Sequence, residues 1–242
     1  MSNIVFIVGY YYPYFSPTGT CCYNIAEEIA KHHNVTVVCM KRRLGQPERE
    51  VYQNQTIIRV SHKWWDYRLK LDEKIRNSSG YINKFYTMIL NAVRLKQYLD
   101  IILAKVSLHK SWIRAYKNAL NKIEYPIDVL IPLSLPMESV VASSEYLKMH
   151  NKTIMIPFLC DPFVYNHRLH RNKWNMILKR KSNMVLETKV LEMSYKIFCL
   201  DYLRDHFDND TQCMDDIVFV EHPLIKKIGM ENRKAKFKRK NM

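Results

Sequence analysis

The stretch that decides the fold is Asn3-Ile-Val-Phe-Ile-Val-Gly9, a continuous apolar run near the start of the chain. Its length and its lack of alternation predict a strand that is buried on both faces, as in a parallel sheet. A loop is predicted at residues 10–20, and apolar residues at helical spacing follow at 21–31. A second apolar run at 35–40 completes the unit. The order strand, loop, helix, strand predicts a βαβ unit with a right-handed crossover.

The same alternation continues along the rest of the chain. Further strands are predicted at 56–60, 128–131, 153–158, 196–200 and 217–220. Helices are predicted between them, at 81–106, 112–123, 137–150, 173–194 and 202–207. Strands that alternate with helices indicate an α/β fold with a doubly wound, mainly parallel sheet, covered by helices on both faces.

The composition narrows the class of protein and its partners. The 242 residues are 48% hydrophobic, which excludes a disordered or collagen-like chain. Six cysteines show neither zinc spacing nor a CxxC pair, and no signal peptide opens the chain, so we expect a reducing, cytoplasmic location. The net charge of +15, with eight basic residues at 226–242, suits an anionic partner or simply aids solubility. No nucleic-acid motif is present, and no such partner is expected.

Three loops at the carboxyl ends of predicted strands are the candidate binding sites, because doubly wound sheets bind ligands there. In the first loop, Gly19 precedes a helix N-terminus that suits a phosphate, although Thr20 could simply cap the helix. In the second, Ser134 could donate to a ligand or point to solvent. In the third, Asp161 could bind a hydroxyl or act as a base, or it could serve as a turn residue.

Two other groups of residues call for an interpretation. His167 and His170 have the spacing of a metal pair, but no third ligand is evident, and no metal site is predicted. Aromatic and basic residues alternate between 64 and 122, which is typical of helices on an anionic bilayer, although core packing with a solvated face would give the same pattern. The residues predicted to meet a membrane surface are Trp64, Trp65, Arg68, Lys84, Arg94 and Lys96.

Several segments, in order and at similar spacing, resemble glycosyltransferase family 4. They begin with Tyr11-Tyr-Pro-Tyr-Phe-Ser-Pro-Thr-Gly19, Asn24-Ile-Ala-Glu-Glu-Ile-Ala30 and Asn34-Val-Thr-Val-Val38. Asp128-Val-Leu-Ile-Pro-Leu-Ser134 and Val218-Phe-Val-Glu-His-Pro223 continue the series. The resemblance covers residues 3–225 and is closest to the branch that builds bacterial surface polysaccharides.

This resemblance implies one Rossmann-like half of a two-domain GT-B enzyme. Residues 1–225 would form the N-terminal, acceptor-binding domain, and 226–242 a basic tail or a truncated interdomain linker. The family's pair of glutamates with seven residues between them is not found in this sequence. We therefore expect the domain that binds the sugar nucleotide to be missing and the chain to be inactive alone. That domain could be a separate partner polypeptide.

The resemblance also implies roles for single residues. Gly19 and Thr20 would face the phosphate of the donor, Asp161 would be catalytic, and Tyr12 and Ser134 would contact the acceptor. The implied reaction transfers a hexose from a nucleotide sugar, a co-substrate and not a cofactor, to a lipid-linked or polysaccharide acceptor at the inner face of the cell membrane. The alternatives are a non-catalytic subunit of a split transferase and an inactive, truncated relic.

Overall fold

The first strand lies at the centre of the fold and is almost wholly buried, as its unbroken apolar sequence predicts. The computed structural model describes residues 1–166, 169–208 and 216–221, and the basic segment predicted at 226–242 lies outside them. In chain order the strands are β1 (Asn3–Val8), β2 (Asn34–Met40), β3 (Arg49–Tyr52), β4 (Gln55–Val60), β5 (Val129–Pro132), β6 (Ile154–Met155), β7 (Phe158–Leu159), β8 (Ile197–Leu200) and β9 (Ile217–Val220).

The helices fall between the strands, as the alternation predicts. They are α1 (Pro17–Ile29), α2 (Lys63–Arg76), α3 (Gly80–Leu103), α4 (Lys110–Asn121), α5 (Glu138–Leu147), α6 (Lys173–Leu191) and α7 (Arg204–Asp208), with a 3-10 turn at Asp201–Leu203 before α7. The α/β, doubly wound architecture is thereby confirmed.

The sheet is mainly parallel and runs in the order β3-β4-β2-β1-β5-β6. Only β3 is antiparallel to its neighbour in this sheet. The strands β7, β8 and β9 form a second, parallel sheet. An isolated parallel bridge between Leu133 and Phe158 connects the two sheets. The strand predicted at 153–158 is thus broken into β6 and β7, because Pro157 between them has no N–H to donate to a ladder.

Side chains of β1 point alternately to the two faces of the sheet and there meet different helices. Phe6 and Val8 pack with Cys22 and Ala26 of α1 on one face. Val5 packs on the other face in a cluster that holds residues of α4 and α5. Because both faces are covered, the strand carries no polar alternation.

Three sequence-based expectations need correction. The hydrophobic pattern does not predict β3, because β3 is a short, charged strand at the edge of the sheet. It does not predict α2 either, because the first turns of α2 are an aromatic and basic stretch without a clear apolar face. The helix α1 begins at Pro17, so Gly19 and Thr20 lie in its first turn and not in a loop. The N-cap is Ser16, whose side chain accepts from the Gly19 N–H, because a serine before a proline suits a helix start.

Candidate functional site

The chain reverses its winding direction between β1 and β5, and a cavity opens at the carboxyl ends of the strands there. β1 pairs with β2 on one side and with β5 on the other. The loops after β1 and β5 meet closely, since a Cβ on Gly9 would lie 3.3 Å from the Leu135 carbonyl oxygen. The cavity has a volume of about 310 Å³. Such a switch point is the usual ligand site of an open α/β sheet.

The walls of this switch-point cavity are largely aromatic. Tyr10 enters from the loop after β1, and Trp64, Trp65 and Trp112 come from α2 and α4. The rings of Trp65 and Trp112 lie 5.4 Å apart in an edge-to-face arrangement. The Trp65 Nε1 donates to the Lys41 carbonyl oxygen at 2.7 Å, which holds the ring in place. Fixed aromatic faces of this kind suit the apolar face of a sugar ring.

Burial shifts the pKa values of several ionisable side chains in the cavity wall, among them two histidines and a glutamate. Burial lowers the pKa of His62, against the opposing charge of Asp66. Burial, helped by the positive charge of Arg171, lowers the pKa of His109 to about 4. Burial raises the pKa of Glu138, although its Oε1 accepts from the His109 backbone N–H at 2.8 Å. At neutral pH the two imidazoles are therefore uncharged and can bind hydroxyl groups.

Gly19 and Thr20 lie at the start of α1. The Gly19 N–H donates to the Ser16 Oγ at 3.0 Å, and the Thr20 hydroxyl donates to the Ser16 carbonyl oxygen at 3.2 Å. Gly19 is required by packing, because a Cβ there would lie 2.0 Å from the Tyr10 carbonyl oxygen. This close approach explains the glycine without a ligand. A role toward a donor phosphate stays a prediction.

Ser134 and Asp161 lie close together, as residues at the ends of neighbouring strands should. The buried Ser134 Oγ accepts from the Cys160 N–H at 3.0 Å. Asp161 follows Cys160 and accepts a long hydrogen bond, 3.5 Å, from the Tyr202 hydroxyl. The same hydroxyl also donates to the Cys160 carbonyl oxygen. Ser134 thus links the loop after β5 to β7, and Asp161 lies beside a tyrosine that no sequence pattern singles out.

Tyr12 borders a different hollow from the switch-point cavity. Its ring stacks on Tyr52 of β3, with centroids 3.7 Å apart. Its carbonyl oxygen accepts from Arg59 at 2.8 Å. Neither Ser134 nor Asp161 lines this hollow or the switch-point cavity, so these two spaces do not bring together the residues predicted to contact an acceptor. The hollow beside Tyr12 lies between the loops after β1 and β2.

The residues predicted to meet a membrane fall into two groups. Trp64 is 43% exposed, and Lys84, Arg94 and Lys96 are exposed on α3. Trp65 and Arg68 are only partly exposed and line the switch-point cavity, with the Arg68 guanidinium 4.8 Å from the Trp65 ring centre. The Lys96 ammonium lies 5.0 Å from the Trp64 ring centre. The binding of a membrane stays a prediction.

Sequence reasoning missed most residues of the cavity, and Tyr10, Glu138 and His109 show why. Tyr10 directly follows β1, so the strand-end rule could have identified it. Glu138 follows the loop after β5 and could have been found in the same way. His109 lies between α3 and α4 and reaches the cavity only through tertiary packing, so no local pattern marks it.

Of the two histidines at metal-pair spacing, the structure describes only His170. His170 is buried and its Nε2 lies 2.7 Å from the Phe163 carbonyl oxygen, while His167 lies outside the described residues. Within 1–166, 169–208 and 216–221, no cluster of three or more potential metal ligands occurs.

In the same ranges no helix combines the length and apolarity that crossing a bilayer requires.

No family model matches this sequence, and no curated protein matches it either. The fold does match a solved structure, that of sucrose-phosphate synthase from Thermosynechococcus elongatus, with a TM-score of 0.54 and 12% sequence identity. The match covers 91% of this chain and 48% of the synthase chain, so this chain spans about half of the synthase's length. The likeness confirms a Rossmann-like α/β fold, which is consistent with one half of a GT-B fold.

Proposed function

We propose that this chain is the N-terminal, acceptor-binding half of a glycosyltransferase. One observation carries the proposal: 91% of the chain aligns with 48% of a sucrose-phosphate synthase. The switch-point cavity, with aromatic walls and uncharged imidazoles, supports a polyhydroxylated acceptor. The donor would be a nucleotide sugar held mainly by a second domain. The resemblance to glycosyltransferase family 4 favours hexose transfer to a lipid-linked or polysaccharide acceptor of a bacterial surface glycan.

The roles of the site residues belong to the same proposal. Asp161 would contact the transferred sugar or the acceptor hydroxyl, and Ser134 and Tyr12 would contact parts of the acceptor outside the switch-point cavity, which none of the three lines. Gly19 and Thr20, at the positive end of α1, would face the leaving diphosphate once the second domain closes. Catalysis in such an enzyme relies on positioning and on stabilising the departing charge.

The decisive experiment begins with the nucleotide sequence downstream of the codon for Met242. If it encodes a second Rossmann-like domain, the two polypeptides are produced together and assayed with UDP- and GDP-sugars and lipid-linked glycans. Sugar transfer by the pair, but not by this chain alone, supports the proposal. Steady transfer by the purified 242-residue chain would refute the idea that it is only an acceptor half.

The acceptor cavity can be tested without the second domain. Glycans are titrated while tryptophan fluorescence is recorded, because three of the four tryptophans line the cavity. Trp64→Ala should weaken glycan binding by removing a stacking face. Trp174→Ala is the matched control, since Trp174 is 77% exposed on α6 and does not line the cavity. Equal binding by both variants would contradict an acceptor site in this cavity.

Peripheral attachment to an anionic membrane is the second part of the proposal. The helix α3 exposes Tyr81, Phe85 and Met88, at 88%, 55% and 62% respectively, on consecutive turns. The exposed Lys84 lies beside them. Apolar residues flanked by cations suit an anionic bilayer.

Vesicle co-sedimentation tests this attachment. Binding should rise with anionic lipid and fall with salt. Phe85→Ser should reduce it, whereas Val51→Ser, at a residue 74% exposed on the edge strand β3, should leave it unchanged. Equal binding to neutral and anionic vesicles would contradict an electrostatic contribution to membrane attachment.

A non-catalytic subunit of a split transferase is the second candidate function. The observation that favours it is partial exposure of apolar strand residues: Ile154 and Val218 are each 40% exposed, and Phe198 is 36% exposed. Such a surface suits a partner polypeptide. Co-purification with a second Rossmann-like protein, with transfer activity in neither alone, would identify a split enzyme. A donor domain encoded downstream in another frame would instead identify a truncated relic.

A further inference from the structure

Three arginines from separate parts of the chain converge beside the switch-point cavity. Arg68 lies on α2, Arg94 on α3, and Arg171 immediately before α6. All three line one hollow of about 510 Å³. Arg68 and Arg171 also line the switch-point cavity, so the two spaces share a wall. We call these residues the arginine cluster.

No close ion pair among the described residues neutralises the positive charge of the arginine cluster. In that part of the chain, none of the three guanidinium groups forms an ion pair within 4.0 Å. Arg68 donates to the Gln97 Oε1 at 3.5 Å, a neutral partner at long distance. Asp100, which lines the switch-point cavity, is paired with Lys96 at 2.8 Å.

Electrostatics show that the members repel one another. Burial lowers the pKa of Arg68, and the charge of Arg94 lowers it further. Asp72 and Tyr10 oppose this shift, and Arg171 adds the smallest lowering contribution. Arginine nevertheless stays charged in proteins. Arg171 also has a φ of 72°, in the left-handed region that a non-glycine residue rarely adopts. Arg68 is half-buried while Arg94 and Arg171 are exposed, so water solvates part of their charge, and an anion in the hollow would be attracted by all three.

We propose that the arginine cluster binds a phosphate or diphosphate group of the acceptor, whose sugar or apolar portion occupies the adjoining aromatic cavity. This inference rests on the proposed acceptor-binding function. Guanidinium groups match phosphate oxygens in paired, charge-assisted hydrogen bonds. Three positive charges suit the two or three negative charges of a phosphate or diphosphate better than the single charge of a sugar carboxylate.

The shared wall explains how one ligand would fill both spaces. Arg68 contacts the Trp65 face on one side and borders the arginine-lined hollow on the other. A phosphate between Arg68 and Arg171 would therefore place the group attached to it against Tyr10 and the tryptophans. The phosphate could belong to a lipid-linked sugar or to a soluble sugar phosphate, and the two differ in whether a lipid chain is attached to the phosphate.

Calorimetric titration of the full chain tests the proposal with pyrophosphate, glucose 1-phosphate, glucuronate and geranyl diphosphate as probes. Wild type should bind the phosphate probes more tightly than glucuronate, with an affinity that falls as salt rises. Tighter binding of geranyl diphosphate than of pyrophosphate indicates a lipid-linked source, and tighter binding of glucose 1-phosphate a soluble one. No binding of any phosphate probe, or equal binding of glucuronate, overturns the proposal.

Variants locate the site. Arg68→Gln, Arg94→Gln and Arg171→Gln should each weaken pyrophosphate binding about tenfold to a hundredfold, since each removes charge-assisted hydrogen bonds. Arg114→Gln is the matched control, because Arg114 is exposed on α4 and borders neither space. Unchanged binding in all three variants, or an equal loss in Arg114→Gln, overturns the site.

Two further readouts distinguish an anion site from a purely structural role of the three arginines. The thermal midpoints of Arg94→Gln and Arg171→Gln should equal that of wild type, because both side chains are exposed, whereas Arg68→Gln also removes the contact with the Trp65 ring. A loss of stability in the Arg94 and Arg171 variants together with the loss of binding would indicate a structural role and overturn the proposal. If glycans bind at the aromatic cavity while no phosphate binds, the anion site fails and the proposed acceptor function stands. If neither binds, both fail.

Discussion

The carbonyl oxygen of Tyr10 lies where the side chain of Gly19 would begin: a Cβ at residue 19 would be 2.0 Å from that oxygen. The first turn of α1 is thereby packed directly on the loop that leaves β1. A backbone atom cannot yield as the end of a flexible side chain can. The contact connects the start of the helix with the residue that enters the switch-point cavity.

Gly19→Ala is therefore expected to destabilise the protein. Replacing a helical glycine by alanine ordinarily gains about 1 kcal/mol, but forcing a methyl into a packed backbone contact costs about 3 kcal/mol. The net loss of about 2 kcal/mol would be measured by urea unfolding. Gly45→Ala is the control, since nothing lies within 4 Å of a Cβ there. Equal stability of the two variants would contradict the packing of α1 on Tyr10.

Ser134→Ala should also reduce the free energy of unfolding. It removes the oxygen that accepts from the buried Cys160 N–H at 3.0 Å. A buried donor left without a partner costs about 1–3 kcal/mol. Ser111→Ala, in the cavity wall, should change stability by less than about 0.5 kcal/mol. A Ser134→Ala protein that keeps full stability but loses glycan binding would instead favour the acceptor contact that the sequence predicted.

Arg59 should contribute more to stability than its ion-pair partner Glu50. The Arg59 side chain is 1% exposed and donates to Glu50 and to the carbonyl oxygens of Tyr12 and Pro47. Arg59→Met would leave those acceptors without their donor and should cost about 3 kcal/mol. Glu50→Gln keeps an oxygen that can accept from Arg59, and the Tyr12 and Pro47 carbonyl oxygens still accept as well, so it should cost less, about 1–2 kcal/mol. Denaturant titration of both variants measures the difference, and equal losses would contradict it.

His109 should make the protein sensitive to acid. Its pKa is about 4 in the folded state, against 6.5 in the unfolded chain. The unfolded state therefore binds more protons between pH 6.5 and 4, and stability must fall as the pH is lowered through that window. The loss attributable to His109 is at most about 3 kcal/mol.

His109→Gln should flatten that pH dependence. The raised pKa of Glu138 has the opposite effect, because it lowers stability as the pH rises above the pKa of an unfolded glutamate. Glu138 is present in both proteins, so the difference between them reports on the histidine. His32→Gln, at an exposed residue that follows α1, should leave the profile unchanged. The free energy of unfolding of each protein is measured at about pH 4 to 7. If it depends on pH in the same way for wild type and His109→Gln, the imidazole is not buried as described.

Local sequence patterns predicted most of the strands and helices, but they located the ends of only some of them. The strand predicted at 217–220 has those ends in the structure, because apolar runs report burial directly. The helix α2 was missed although Trp65 and Leu69 have helical spacing, because its aromatic and basic residues suggested a surface. The predicted start of α1 is four residues late, since the capping residue is Ser16 and not Thr20.

The sequence by itself determined the α/β class, the burial of β1 on both faces and the strand ends to search for a ligand. These follow from periodicity and from the rule that parallel strands end at one edge. Only the tertiary structure decided that Ser134 meets Cys160, that Gly19 meets Tyr10, and that Arg68, Arg94 and Arg171 share one hollow. These contacts depend on how segments that are distant in the sequence pack together, and a local sequence pattern does not predict such packing.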